Sequence, residues 1–228
     1  ISWIKGSDYK LRLSASSSGF QSVVPLCLVT KNLAELVTEK ANNKVESVET
    51  RNKIKKEVEK ILSDKSLNEE VRNVLLKAIS SRFTYSYFVN IVEEMEQNLY
   101  PQSQKSVLFE LLKYSNQIDN NRLVLTTHSP YILNYLTLAA KAYEIKLSVG
   151  DDSVLQTKLS KIVPLESCIK SQLLKIYEIK DDGTVTLLET FDDLPSDDNF
   201  LNNQLMLTND MFDSLLEIED TLVNDEVK

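Results

Sequence analysis

An α/β fold is predicted, on three observations. The middle of the chain runs "FTYSYFVNIV", "PQSQKSVLFELLKYSNQ", "RLVLTT" and "SPYILNYLTLAAKAYE", the order strand, helix, strand, helix. Its two strand segments are short apolar runs, which implies a parallel pair covered on both faces. Polar residues gather where each strand stops, at "EEMEQN" and "THSP", the edge where a parallel sheet offers a crevice.

From the N-terminus onward, "DYKLRLS" (8–14) alternates as a strand and "SASSSG" breaks it. From Phe20 to about Val37 the positions Val23, Val24, Leu26, Leu33, Leu36 and Val37 suit a helix, with Pro25 tolerated only near the first turn. Residues 38–63 are Lys- and Glu-rich with a thin apolar stripe of Val45, Val48, Ile54, Val58, Ile61 and Leu62, the pattern of one or two exposed helices. In "SLNEEVRNVLLKAIS", Ser66 and Glu69 have capping-box spacing ahead of Val71, Val74, Leu75 and Ile79. Residues 39–81 together read as a helical insertion, either a solvated arm or a surface for a partner. Pro101 stands at a favoured first helical position. Further on, "LLKIYEIKDDGTVTLLETF" is a hairpin turning at Asp182–Gly183. Acidic "DDLPSDDN" (192–199) is the one candidate linker. "TNDMFDSLLEIEDTLV" reads as a helix capped by Thr208, using Met211, Phe212, Leu215, Leu216 and Ile218. No internal repeat is visible.

Composition excludes several classes. With 228 residues and 42% apolar content the chain can bury a core. A net charge of −8 and a pI of about 4.9 argue against a strong nucleic-acid-binding surface, which needs clustered Lys and Arg. Cys27 and Cys168 lie far apart without ligand spacing, and His128 is the only histidine, so disulfide frameworks and zinc sites are not expected. No apolar run approaches the ~20 residues that cross a bilayer and no signal peptide is visible, so no membrane is expected and the cytoplasm is the expected compartment. The missing initiator Met suggests a piece of a longer protein.

Three local features carry the chemistry. Glu93 and Glu94 end the strand of "FVNIV", where one acid can hold the hydration shell of Mg²⁺ while the other contacts a water. His128 stands at the equivalent edge of the next strand. "SSSGFQS" places small residues and backbone N–H groups at a helix N-terminus, a natural phosphate cradle. Taken singly these are, respectively, a solvated turn, a helix-start residue and a flexible loop; their order within an α/β frame is what joins them.

These segments resemble the ABC-type ATPase heads of SMC-like, OLD-like and related AAA-family bacterial defence proteins. "VEEMEQNLYPQSQ" looks like the Walker B segment, "LTTHSPYIL" like the strand and switch histidine that follow, and "LSASSSGFQSVVPL" like the signature loop and its helix. The resemblance is close over residues 8–38 and 84–150. It divides the chain into a strand with signature loop and helix (1–38), a helical insertion (39–81), a Walker B and switch-histidine core (82–150) and a C-terminal hairpin and helix (151–228). It implies half of a P-loop NTPase sheet. It further implies that Glu93 orients Mg²⁺ through water, that Glu94 is the general base, and that His128 contacts the γ-phosphate. Ser17, Ser18, Gly19, Phe20 and Gln21 would meet a nucleotide held by the opposite protomer. Gln97 to Tyr100 would lie at the dimer seam, with Asn98 among the nucleotide-binding positions. Glu93 stands where Asp is commoner, and Met95 where Pro is usual. With only Gly6, Gly19, Gly150 and Gly183, no G-x-x-x-x-G-K-[ST] can be built. The resemblance therefore implies the C-terminal half of a head, with ATP and Mg²⁺ held by the full-length protein and not by this piece alone.

The expected function is ATP binding and hydrolysis in a head that dimerises around ATP and gates a partner activity, in phage defence or DNA maintenance. The alternative is a degenerate dimerisation scaffold without turnover, favoured by the departures at Glu93 and Met95. A Toprim-type nuclease within the chain is disfavoured, because residues 150–228 offer paired acids only in the turn-like "DDS" and "DDG". A separate nuclease or effector subunit and contact with DNA are left open.

Overall fold

The computed structural model describes residues 3–5, 10–41, 48–64, 67–83, 86–180 and 182–226. Seven α-helices and eight short strands occur among them, a mixed α/β chain. It forms two compact units, residues 1–93 with 110–125 and residues 94–109 with 126–228.

In the first unit, β1 (Trp3–Lys5) pairs antiparallel with β2 (Lys10–Arg12), Trp3 opposite Arg12. The strand expected over 8–14 is described only from Lys10; Asp8 and Tyr9 lie outside the described residues. It gives way to a 3₁₀ turn at Leu13–Ala15, where Leu13 O accepts both the N–H and the hydroxyl of Ser16, at 3.0 and 2.6 Å. Helix α1 (Ser18–Ala41) follows and contains Pro25 in its interior, a correction to the expected first-turn placement. Pro25 supplies no N–H to Gln21 O and its ring is exposed, so the defect faces solvent and the helix continues past it. The segment Ser18–Thr38 is also long and apolar enough to cross a membrane, against the expectation of no such run. Its described charges, Lys31 and Glu35, pair at 3.7 Å one turn apart. While Phe20, Leu28, Val29 and Leu36 are exposed, its inward side meets the core at one end, where Ala34 and Val37 contact Phe88 with Leu33, Tyr114 and Ile118 against them. Thr30, buried one turn earlier, accepts a 2.9 Å hydrogen bond from the buried Asn90 amide.

Helices α2 (Val48–Ser63) and α3 (Glu69–Phe83) pack on each other. Ser66 of the expected capping box lies outside the described residues. Asn68 does the capping, its Oδ1 accepting Val71 N–H at 2.8 Å.

Strand β3 (Val89–Glu93), helix α4 (Pro101–Ser115) and strand β4 (Arg122–Thr126) follow the expected order, and β3 and β4 form a two-stranded sheet. Arg122 N–H reaches Phe88 O at one end of the pair and Glu94 N–H reaches Thr126 O at the other, both at 3.0 Å. Those bonds advance together along the two strands, which is the parallel sense. Asn90 and Val92 are buried while Val89, Ile91 and Val124 are exposed. Among the described residues the pair is thus covered on one face, a correction to the expectation of two.

In the second unit α5 (Pro130–Val149) buries Ile132, Leu136, Ala139 and Ala140 along one stripe. Phe109 meets Tyr135 edge to face with ring centroids 6.4 Å apart, and the buried Ser167 hydroxyl donates to Phe109 O at 2.8 Å. Helix α6 (Ser153–Ser160) is capped by Asp152, which accepts from the N–H groups of Val154 and Leu155. The expected hairpin forms from β5 (Tyr177–Ile179) and β6 (Val185–Leu187). The "DDLPSDDN" segment is not a structureless linker: β7 (Thr190–Phe191) turns through Asp192 and Asp193, both left-handed, and pairs with β8 (Leu194–Pro195). Helix α7 (Phe200–Glu226) begins earlier than expected. Asn199 is its cap, accepting Asn202 N–H at 3.0 Å, whereas Thr208 lies inside the helix with its hydroxyl on Gln204 O. Its apolar residues Met206, Met211, Phe212, Leu215 and Leu222 are exposed.

Candidate functional site

Two loops in the second unit form the site. The first leaves β3 and turns over residues 94–100 into α4. Gln97 N–H donates to Glu94 O and Leu99 N–H to Glu96 O, both at 3.0 Å, after which Tyr100 O takes two N–H groups of the first turn of α4, those of Ser103 and Gln104. Glu94 and Asn98 both have left-handed backbones, φ 46° and 58°. Asn tolerates that region through its short polar side chain, but Glu does not; a strained residue of this kind persists only where its surroundings over-determine it. At Glu94 the surroundings are plain: its N–H meets Thr126 O at 3.0 Å and Thr126 Oγ1 at 3.3 Å. Met95, in place of the Pro of the resembling heads, is buried, so an apolar side chain fills the position.

The second loop leaves β4 as Thr126, Thr127, His128 and Ser129, and the last is the N-cap of α5. His128 presents an exposed ring whose Nε2 stands 3.5 Å from Glu94 Oε1. Glu94 Oε2 accepts the Gln97 side-chain amide at 2.7 Å. One carboxylate therefore has an amide on one oxygen and an imidazole near the other. Such a group can accept a proton from a water it orients, and the imidazole can donate to an oxyanion beside it.

Side chains cross-brace the loops. Glu96 Oε1 accepts Thr127 Oγ1–H at 2.8 Å and His128 N–H at 2.7 Å. Ser129 N–H donates to Thr127 Oγ1 at 3.0 Å. The buried Gln104 side chain accepts Ser129 Oγ–H at 2.7 Å and donates to Leu99 O at 3.0 Å.

Of the residues singled out in the sequence, Glu94 and His128 are brought together, and Asn98 sits exposed in the same turn as Glu94. Glu93 ends β3 in the first unit, exposed, next in the chain to Glu94. Ser17, Ser18, Gly19, Phe20 and Gln21 open α1 in the first unit: Gly19 is buried, Phe20 is exposed, and the Gln21 amide turns back to Ser16 O at 2.8 Å. Sequence reasoning gives Gln97 only a place at the seam and assigns no role to Glu96, Thr127, Gln104 or Ser129. For Glu96, Gln97, Thr127 and Ser129 the only advance signal is position, each falling within a few residues of Glu94 or His128; Gln104, inside α4, carries none.

Among the described residues no three His, Cys, Asp or Glu are grouped to hold a metal. Mg²⁺ is commonly held by one or two carboxylates with water and phosphate oxygens completing the shell, and Glu94 offers one such carboxylate here.

Residues 89–134 match a protein-family model described as "AAA domain, putative AbiEii toxin, Type IV TA system". The match runs from β3 through α4 and β4 into α5, about a fifth of the chain, and marks an AAA, P-loop ATPase-type region. No curated protein and no solved structure matches.

Proposed function

We propose that the chain is the C-terminal part of an ABC-type ATPase head that dimerises around ATP and, by opening on hydrolysis, gates a partner activity in phage defence or DNA maintenance. The reading rests on one coincidence: the ATPase-type match spans 89–134, and within those residues the Glu94 carboxylate and the His128 ring stand 3.5 Å apart at the ends of neighbouring parallel strands.

In phosphoryl transfer, positioning and charge stabilisation supply nearly all the catalysis. Glu94, oriented by Gln97, takes the proton of the attacking water, and His128 donates to the γ-phosphate. Glu93 would hold the hydration shell of Mg²⁺, and the ion, when bound, would supply neutralisation of charge on the phosphate oxygens. Ser17 to Gln21 reach the nucleotide of a second protomer, and Asn98 lies at the seam between them. The phosphate loop comes from a further segment of the protein, since four glycines cannot build one here.

ATP turnover and ATP-dependent dimerisation of the full-length protein test this. Glu94→Gln is expected to lower turnover by about 10²–10⁴-fold and to accumulate an ATP-bound dimer in light scattering. Absence of turnover and of ATP-dependent dimerisation in both proteins overturns the reading in favour of a scaffold, for which Glu93 in place of Asp and Met95 in place of Pro speak.

A further inference from the structure

Glu96 belongs to neither role above. Its Oε1 is held by two donors from the other loop, while its Oε2 is buried with no hydrogen-bond partner among the described residues. A half-buried carboxylate with one inaccessible, unpaired oxygen is a poor device for stability alone, because the missing partner offsets much of what the other oxygen gains. The donors point to a different use. Thr127 Oγ1 accepts Ser129 N–H, so its single proton is committed to Glu96. The second donor is the backbone N–H of His128 itself, in a short, charge-assisted bond. The first N–H of the loop after Thr127 is therefore pinned, and the imidazole hangs from that pinned backbone.

We propose that Glu96 is a positioning residue which sets the His128 ring against the Glu94 carboxylate. Glu96 sits in the same turn as Glu94, and Leu99 N–H and Gln97 N–H close that turn onto Glu96 O and Glu94 O. A shift of the first loop thus carries acid and histidine together and keeps their separation. The functional meaning of this rests on the nucleotide-site reading; the geometry does not.

His128 is the only histidine, so its ring protons are identified in an NMR spectrum without assignment, and no nucleotide is needed. The chain is expected to show a nuclear Overhauser contact from the His128 ring to the Glu94 side-chain methylenes, with a His128 amide that exchanges slowly. Glu96→Gln keeps the reach and an acceptor oxygen and should keep both signals. Glu96→Asp keeps the charge but draws the acceptor back by one methylene, and should lose the contact and speed His128 amide exchange by about 10-fold or more. Glu96→Asp is preferred to Glu96→Ala because it keeps the charge and removes a single methylene. Persistence of the ring contact in a folded Glu96→Asp protein overturns the proposal. In the full-length ATPase the same variant should lower kcat by about 10–100-fold with KM for ATP unchanged, as expected of a misplaced group; an equal rise in KM speaks against positioning. If ATP is never turned over while the ring contact behaves as described, it is the ATPase reading that fails and not the positioning role.

Discussion

Two turns of the second unit reverse the chain by different means. At Lys180–Thr184, Gly183 N–H returns to Lys180 O at 2.8 Å, Lys180 N–H meets Thr184 O at 2.9 Å, and Asp182 Oδ1 takes both the N–H and the hydroxyl of Thr184. Every partner lies within four residues, and glycine occupies the left-handed position at φ 80°. At residues 94–100 the left-handed positions fall to Glu94 and Asn98, and to the turn's local bonds from Gln97 and Leu99 are added bonds with Thr126, Thr127 and His128, some thirty residues along the chain. The first turn carries its own instructions. The second is braced by the neighbouring loop as well, and the strained residue it holds is the acid that faces His128.

The largest effect expected from breaking this contrast lies at Gln104. Gln104→Ala removes the only side chain bridging Leu99 O and the buried Ser129 hydroxyl among the described residues, and should lower stability by about 2 kcal/mol in urea unfolding through groups left unpaired. No side chain of the 180–184 turn should approach that value.

Exchanging the backbone demands of the two turns gives smaller effects of opposite sign. Gly183→Ala meets open space but a backbone at φ 80°, and should cost about 1 kcal/mol. Glu94→Gly should instead be neutral or stabilising by about 0.5 kcal/mol, relief of left-handed strain being reduced by glycine's larger loss of chain entropy. Thermal melts of the two variants side by side decide it; a clear loss in Glu94→Gly means that the Gln97 and His128 contacts outweigh the strain.

The smallest effect is electrostatic. The Thr184 hydroxyl and N–H hold the Asp182 carboxyl below its ordinary pKa of 3.8. A depressed folded pKa stabilises above the unfolded value and loses that contribution as pH falls through the folded one. The melting difference between wild type and Asp182→Asn should therefore be present at neutral pH and vanish in strong acid. No comparable acid dependence is expected from a Gln104→Ala comparison, since no proton is bound there.

Legibility followed the same division. Helices α4 and α5, strands β3 and β4 and the β5–β6 hairpin were readable because periodicity, Pro101 and Asp182–Gly183 act within a few residues. The start of α7 was misplaced at Thr208 because Asn199, the residue that caps it, sat inside a segment read as linker. Pro25 was expected near a helix start, yet α1 runs through it, because tertiary contacts at Thr30, Ala34 and Val37 override a local defect. At the site, the convergence of two acids and a histidine on one sheet edge was legible from their places at strand ends, and the 3.5 Å contact of Glu94 with His128 was not.

The sequence by itself determined that two short apolar strands alternate with two helices and that the polar groups fall at the strand ends, since both follow from spacing along one chain. Only the tertiary structure decided that Glu94 takes a left-handed backbone, that Glu96 and not Glu94 holds the His128 loop, and that Gln104 ties α4 to the start of α5. Those facts depend on parallel pairing of β3 with β4, which brings residues some thirty positions apart within 3 Å of one another, a distance that no local pattern encodes.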